Sequence, residues 1–439
     1  MEAAATTPLE TSARKGPSPL RAVLSDRNFR LLWIGEGISL LGDQFYLIAL
    51  PWLVLQLTGD AFAMGMVLAL EGIPRALFIL LGGAITDRFS PRTTMLVSNL
   101  FRLGMVGLLT GLVLTGLVHL WMIYVFALIF GLADAIFFPA QSAIVPQIVR
   151  KSDLQTANAI VQGTAQLSLF AGPVLAGALI ALFGSQATTG SEPTAAGLTG
   201  IGIAFGFDTL TFAFSVLTLW LMRTRSREAP TQPTGNVLSS IREGLANAWQ
   251  DATMRIFFIL VAAINLLVVG PISVGIPVLA DLRFAEGAAA YGIILSAYGG
   301  GALVGTIFAG LLPRPPARRM GTVLLLVIST LGIGLVLMAY VQSLAAAALI
   351  TLVMGIANGY TVIQFVTWLQ GRTPEAMLGR TMSLLMFASV GLIPVSNALA
   401  GALIEVNLTA FFVISGALMA AMTLLAALNP ATRSMESAA

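Results

Sequence analysis

Cysteine is absent from this 439-residue chain and histidine occurs once, at His119. Disulfide frameworks, thiol nucleophiles, iron–sulfur clusters and Cys/His zinc sites are therefore excluded, and His119 alone makes no metal site. Charge is also scarce. Only 10% of residues are Asp, Glu, Lys or Arg, against roughly 25% in an average soluble domain. No Gly-x4-Gly-Lys-Ser/Thr nucleotide-binding motif is present, and the glycine string at Gly200, Gly202 and Gly206 opens an apolar helix instead of following a strand. Neither ATP-driven work nor dinucleotide chemistry is encoded. No nucleophile–base pair stands out either, so an enzyme is not expected.

What is abundant is apolar surface: 57% of residues are hydrophobic and the mean hydropathy is +0.90. Disorder, nucleic-acid binding and an ordinary cytosolic enzyme are incompatible with that composition. At about 20 apolar residues per bilayer-spanning helix, the chain reads as an all-α membrane protein with twelve transmembrane helices. Uninterrupted apolar runs place them near 31–56, 62–86, 94–117, 120–143, 156–183, 201–222, 256–280, 289–312, 321–342, 345–367, 381–404 and 408–428.

The formal net charge of +3 reads as topology. With the amino terminus inside, 20 of the 23 Lys and Arg fall in inner segments. The exceptions are Arg75 and Arg102, within spans, and Arg283, in an outer loop. The positive-inside rule then puts both termini in the cytoplasm. Residues 1–30 carry no short apolar core and cleavage site and form an amino-terminal tail, not a signal peptide. Two six-helix bundles follow, at 31–222 and 256–428, joined by a polar linker at 223–255, and the chain closes with a tail at 429–439. Within the linker, Val237, Ile241, Leu245 and Trp249 recur every four residues, the spacing of an amphipathic helix lying on the membrane face. The outer loop 184–200, rich in Gly, Ser and Thr, is expected to be mobile.

The halves repeat. LAGALI occupies 175–180 and again 399–404, an offset of 224. Gly131 maps onto Gly355 and Asp134 onto Asn358 at the same offset, while Gly65 and Gly83 map onto Gly292 and Gly310 at 227. Concordant register over several spans points to an internal duplication of the kind used for alternating access.

An ionised group at mid-bilayer costs about 3 kcal/mol on insertion scales, so each needs a partner or an aqueous cavity. Glu36 and Asp43, seven residues apart in the first span, project from nearly one face and are candidates for loading and releasing a proton. Each can equally be a hydrogen-bonded packing residue. Asp134, opposite Asn358 in the repeat, is the third candidate, for substrate or proton contact. Glu71 and Arg75 stand at i and i+4, the favoured order for an intrahelical, structural ion pair. Arg102 is placed to snorkel to the interface, and Asp208 reads as a helix-packing hydrogen bonder. Phe138, Asn265, Tyr298, Asn358, Gln364 and Phe365 are candidates to line a broad pocket, with Gln166, Phe137, Tyr360 and Trp368 as further possibilities. His119, next to Trp121, suits an interfacial turn.

The loop after the second span reads GGAITDRFSPRTTM, with Gly83, Asp87, Arg88 and Arg92 at the spacing Gly-x3-Asp-Arg-x3-Arg. It resembles the loop signature of the major facilitator superfamily, which implies a conformational switch there. GLADAIFFPAQSAIVPQIVRKSDLQTAN at 131–158, AGPVLAG at 171–177 and QGRTPEAMLGRTMSL at 370–384 together resemble the drug exporter branch that includes macrolide efflux pumps and the enterobactin exporter. Gly172, Pro173 and Gly177 resemble the proline–glycine motif of antiporters. The resemblance implies a monomeric, proton-coupled exporter of an amphipathic or hydrophobic small molecule, surrounded by membrane lipid, with no cofactor and no nucleic-acid partner. The alternative it leaves open is a flippase for lysophospholipid or similar cargo.

Overall fold

Inside a bilayer every backbone N–H and C=O must be satisfied by the chain itself, which leaves long helices as the solution for runs this apolar. The computed structural model describes the backbone of residues 19–184, 195–223, 249, 251–313, 315–373 and 375–434; side chains at 19, 79–88, 195–196, 317–318, 375–376, 379–380, 383, 431 and 434 lie outside that description. Among the described residues, twelve helices are long and apolar enough to cross a membrane, and we number them as spans 1 to 12: Arg27–Thr58, Ala61–Phe78, Pro91–Leu114, Leu120–Ile148, Lys151–Phe183, Gly197–Leu221, Ala252–Arg283, Ala288–Leu311, Arg319–Met338, Leu344–Arg372, Leu384–Val406 and Leu408–Leu428. The linker helix expected over 237–249 lies outside the described residues apart from Trp249. So do residues 185–194 of the expected loop, whereas 195–200 are helical and start the sixth helix earlier than its apolar run suggests.

Local chemistry sets the ends. Asp26 caps span 1 by accepting the Phe29 N–H at 2.9 Å, and Gly59 ends it at φ 63°, a left-handed turn that a Cβ would strain. Ser90 caps span 3 ahead of Pro91, a residue whose missing N–H costs nothing at a helix start. Asn407 separates spans 11 and 12 and accepts the Ala410 N–H at 2.8 Å. Two spans in the second half are broken. Span 7 passes through a π-helical stretch at Pro271–Gly275, and the eleventh helix divides into Glu375–Val390 and Ile393–Val406. The breaks are stitched together: Ser396 Oγ donates to the Leu266 carbonyl at 2.7 Å and accepts from the Gly270 N–H at 2.9 Å, and Ser273 donates to Asn397 Oδ1 at 2.6 Å.

Spans 1–6 form one bundle and 7–12 the other. Within the first, span 2 lies on span 4 and span 3 on span 6; in the second, span 8 lies on span 10 and span 9 on span 12, the same pairings in repeat order. The bundles meet along two seams, span 2 against span 11 and span 5 against span 8. Gly65 abuts Gly401 and the Asn397 carbonyl at the first; Gly292 abuts Gly177 and the Pro173 carbonyl at the second. The repeat offsets turn each set into the other. Small residues let helix backbones touch in this way. The described hydrogen bonds between bundles lie in the half remote from the termini: Gln56 to Asp281 at 3.3 Å, Val174 N–H to Ser296 Oγ at 2.8 Å, and the carboxyl pair Asp60–Glu405. Trp52 packs on Gly287 in the same half. Among the described residues, no hydrogen bond or ion pair joins the bundles near the termini.

Candidate functional site

The polar core of the molecule lies in the first bundle. Asp134, on span 4, is 6% exposed and receives two guanidiniums: Arg102 of span 3, in a close ion pair, and Arg75 of span 2 at 3.4 Å. Arg102 is itself only 3% exposed. The rings of Phe137, Phe130 and Phe212 surround it at 4.3, 5.4 and 5.8 Å from the guanidinium carbon. A guanidinium is weakly hydrated and stacks on aromatic faces, so it suits such a cage.

One helical layer toward the termini, Glu36 on span 1 is 6% exposed and accepts from Gln141 Nε2 at 2.8 Å and from Ser215 Oγ at 3.3 Å. Asn99 Nδ2 in turn donates to Ser215 Oγ at 2.9 Å. Glu36 also lines a small, mostly apolar pocket with Trp33, Leu40, Gln141, Val145 and Thr164, where Trp33 Nε1 donates to Thr164 Oγ1 at 2.8 Å. Asp43 lies two turns along span 1, half-buried, within electrostatic reach of Arg102, Asp134 and Glu36, and makes no hydrogen bond or ion pair among the described residues. Away from the span ends, where Arg27, Arg30, Arg92, Lys151 and Asp153 stand, five carboxyls (Glu36, Asp43, Glu71, Asp134 and Asp208) thus share the bundle's spans with two guanidiniums, those of Arg75 and Arg102. A carboxylate without a cation in a low-dielectric interior is costly, and taking up a proton removes that cost. Glu36 points into the bundle, not into hydrocarbon.

Several expectations from sequence are corrected. Arg75 pairs with Asp134 on span 4 and not with Glu71 one turn back on its own helix, because Asp134 is the buried carboxylate that most needs a counter-charge. Glu71 is held by shape: its carbonyl abuts Gly131, where any Cβ would clash. Arg102 does not snorkel. Gln364 and Phe365 do not line a cleft; Gln364 is 2% exposed and leans on the Ala309 carbonyl at 3.4 Å, and Phe365 stacks between Phe257 at 5.7 Å and Trp368 at 5.9 Å. Asn265 turns its amide onto the Val261 carbonyl of its own helix at 2.9 Å. Phe138 is 39% exposed, edge-on to Phe137, while Tyr298 and Asn358 are half-buried.

Of the loop signature, the side chains of Gly83, Asp87 and Arg88 lie outside the described residues. Arg92 binds within its own bundle, donating to the carbonyls of Leu219 and Trp220 at 2.7 and 2.8 Å and so capping the end of span 6. Gly172 brings span 5 onto Gln44 of span 1, while Pro173 and Gly177 form the seam with span 8. Among the described residues, no cluster of three His, Cys, Asp or Glu side chains suits a metal ion. Sequence reading missed the centrality of Arg102; the available signal was its mid-span position.

A sequence model of the Major Facilitator Superfamily matches residues 32–394. The multidrug efflux pump Tap of Mycolicibacterium fortuitum is 24% identical over 374 residues, covering 83% of this chain and 86% of that one. The enterobactin exporter EntS of Escherichia coli is 26% identical over 362 residues, covering 80% and 79%. Among solved structures, the nucleoside transporter NupG superposes with a TM-score of 0.68 at 15% identity, covering 91% of this chain and 98% of that one, a likeness of fold alone.

Proposed function

Because the chain belongs to the Major Facilitator Superfamily, we propose that it is a proton-coupled exporter of amphipathic or hydrophobic small molecules in a bacterial inner membrane, with both termini in the cytoplasm. The observation that carries this reading is the excess of buried carboxyls over guanidiniums in the first bundle, with Asp43 left without a partner beside the Arg102–Asp134 pair. A proton bound at Asp43 or Glu36 removes a charge from the interior, and its release restores attraction to Arg102. Such a change biases which way two rocking bundles face. The distribution of Lys and Arg supports the cytoplasmic placement of the termini. With that orientation, seams closed at the remote end correspond to a cytoplasm-facing state, the one that loads cargo for export.

The names of the two relatives, a multidrug efflux pump and an enterobactin exporter, support export and cargo of this type. The flippase reading gains no support from them. The test is expression in efflux-deficient bacteria, scoring retention of a panel of dyes, macrolides and catecholate siderophores. Lower accumulation that returns to control levels with a protonophore or with Asp43→Asn is the expected result. Unchanged accumulation of every compound, or export that survives both treatments, refutes it.

A further inference from the structure

Asp208 of span 6 is fully buried, at 0% exposure, and has no place in the network built around Asp134 and Glu36. Its Oδ2 finds no hydrogen-bond partner. Its Oδ1 faces only the Thr211 hydroxyl at 3.3 Å, and that hydroxyl makes a better bond, 2.7 Å, to the carbonyl of Asp208 itself. One hydroxyl proton cannot serve both oxygens. No Lys or Arg forms an ion pair with it among the described residues. A structural hydrogen bonder would be satisfied; this carboxyl is not.

Its position is built on purpose by small residues. Gly42 of span 1 lies against Asp208 Oδ1 and Thr211, and any Cβ there would drive the two helices apart. The residue after Gly42 is Asp43, the other unpartnered carboxyl. The charged and titratable groups around Asp208 are Asp43 and the phenol of Tyr46 on span 1, Arg102 on span 3 and Asp134 on span 4, and of the charged ones Asp43 interacts with it most strongly. Arg102 is committed to Asp134, so neither Asp43 nor Asp208 has a cation of its own.

We infer that Asp208 and Asp43 hold one proton between them, with Asp208 serving as the inner bearer of the proton that Asp43 exchanges with water. In the transfer, the O–H bond on one carboxyl breaks as one forms on the other, so the pair keeps a net charge of −1 throughout. Asp43, the less buried of the two, is assigned the exchange with water, and Asp208, at 0% exposure, retains the proton while the cleft is closed. The assignment extends the proton-coupled reading above and rests on it for its role in transport.

The experiment is infrared spectroscopy of the full chain in liposomes, titrated with pH, for the wild type, Asp208→Asn and Asp43→Asn. The expected result is a protonated-carboxyl C=O band that fades as pH rises, is missing in Asp208→Asn, and titrates about one pH unit or more away from its wild-type midpoint in Asp43→Asn, a tenfold change in proton affinity. Where Asp208→Asn fails to fold, carbodiimide labelling of the wild type, read by mass spectrometry, replaces it: Asp208 is modified at acid pH and spared at alkaline pH. A spectrum unaltered by Asp208→Asn, an Asp208 signal that never titrates while the protein stays folded, or a midpoint indifferent to Asp43→Asn overturns the inference. Failure of protonophores to block export would instead remove the coupling role and leave the shared proton standing, so the two readings fail separately.

Discussion

The two bundles descend from one pattern and have been put to different uses. Glu71 and Gly131 touch in the first just as Tyr298 and Gly355 touch in the second, carbonyl against glycine, at the same repeat positions. The scaffold is duplicated while the chemistry is not. Where the first bundle carries Asp134, the second has Asn358; where it carries Glu71 and Arg75, the second has Tyr298 and Ala302. Between Ala252 and Leu428 the charged residues cluster at span ends, as with Arg283, Arg372 and Glu405, and the interior polar work falls to serines and asparagine joining the broken spans 7 and 11. Duplication thus supplies the pivot, and divergence confines charge to one side of it.

The largest test of that division is Arg102→Ala, which leaves Asp134 with only the longer bond to Arg75. A loss of about 3–5 kcal/mol in stability is expected, read by chemical unfolding in detergent. Arg102→Met combined with Asp134→Leu should recover much of the stability and none of the transport, since neutral side chains of similar volume can replace a buried pair but not its charge. Asn358→Asp puts a carboxyl into the second bundle at the mirrored position, where no arginine waits. It should cost about 3 kcal/mol at neutral pH and less in acid, which thermal melts at two pH values resolve.

Gly177→Val and Gly401→Val probe the duplicated part. Each pushes a side chain into neighbouring backbone, so each should cost about 1–3 kcal/mol in the state with the remote end shut. The expected signature is equality: single cysteines placed in this cysteine-free chain at the remote end should become reactive to a similar degree in both variants. The smallest effect is expected at Asp251, which caps span 7 and pairs with Arg372 at 2.7 Å. Partial burial works against its ionised form, but the Arg372 bond and the N–H groups of Met254 and Thr253 outweigh it and hold the carboxyl below its ordinary value of 3.8. The stability it adds is therefore full above that value and fades as pH falls through the lower folded-state pKa. Asp251→Asn should flatten this acid limb by about 0.5 kcal/mol, read from unfolding midpoints against pH.

How far the sequence reveals this molecule depends on whether a signal is local. The spans were legible because a bilayer demands long apolar runs, and the hexapeptide LAGALI revealed the duplication; that its glycines, Gly177 and Gly401, lie at the two seams emerged only from the structure. Pairing between spans was not legible. Spacing alone favours Glu71 with Arg75, yet a carboxylate 59 positions further along the chain takes the arginine. The facing of Gln364 and Phe365 was equally hidden, because a helix apolar on every side carries no stripe to say which face meets a cleft.

The seams have one more consequence. They touch largely through carbonyls, Cα atoms and glycines, with an amide–carboxyl bond, an N–H to hydroxyl bond and the Asp60–Glu405 carboxyl pair described across them. Parting them would break few strong bonds and uncover mostly backbone, so the joint between the halves is held more by close fit than by bonding.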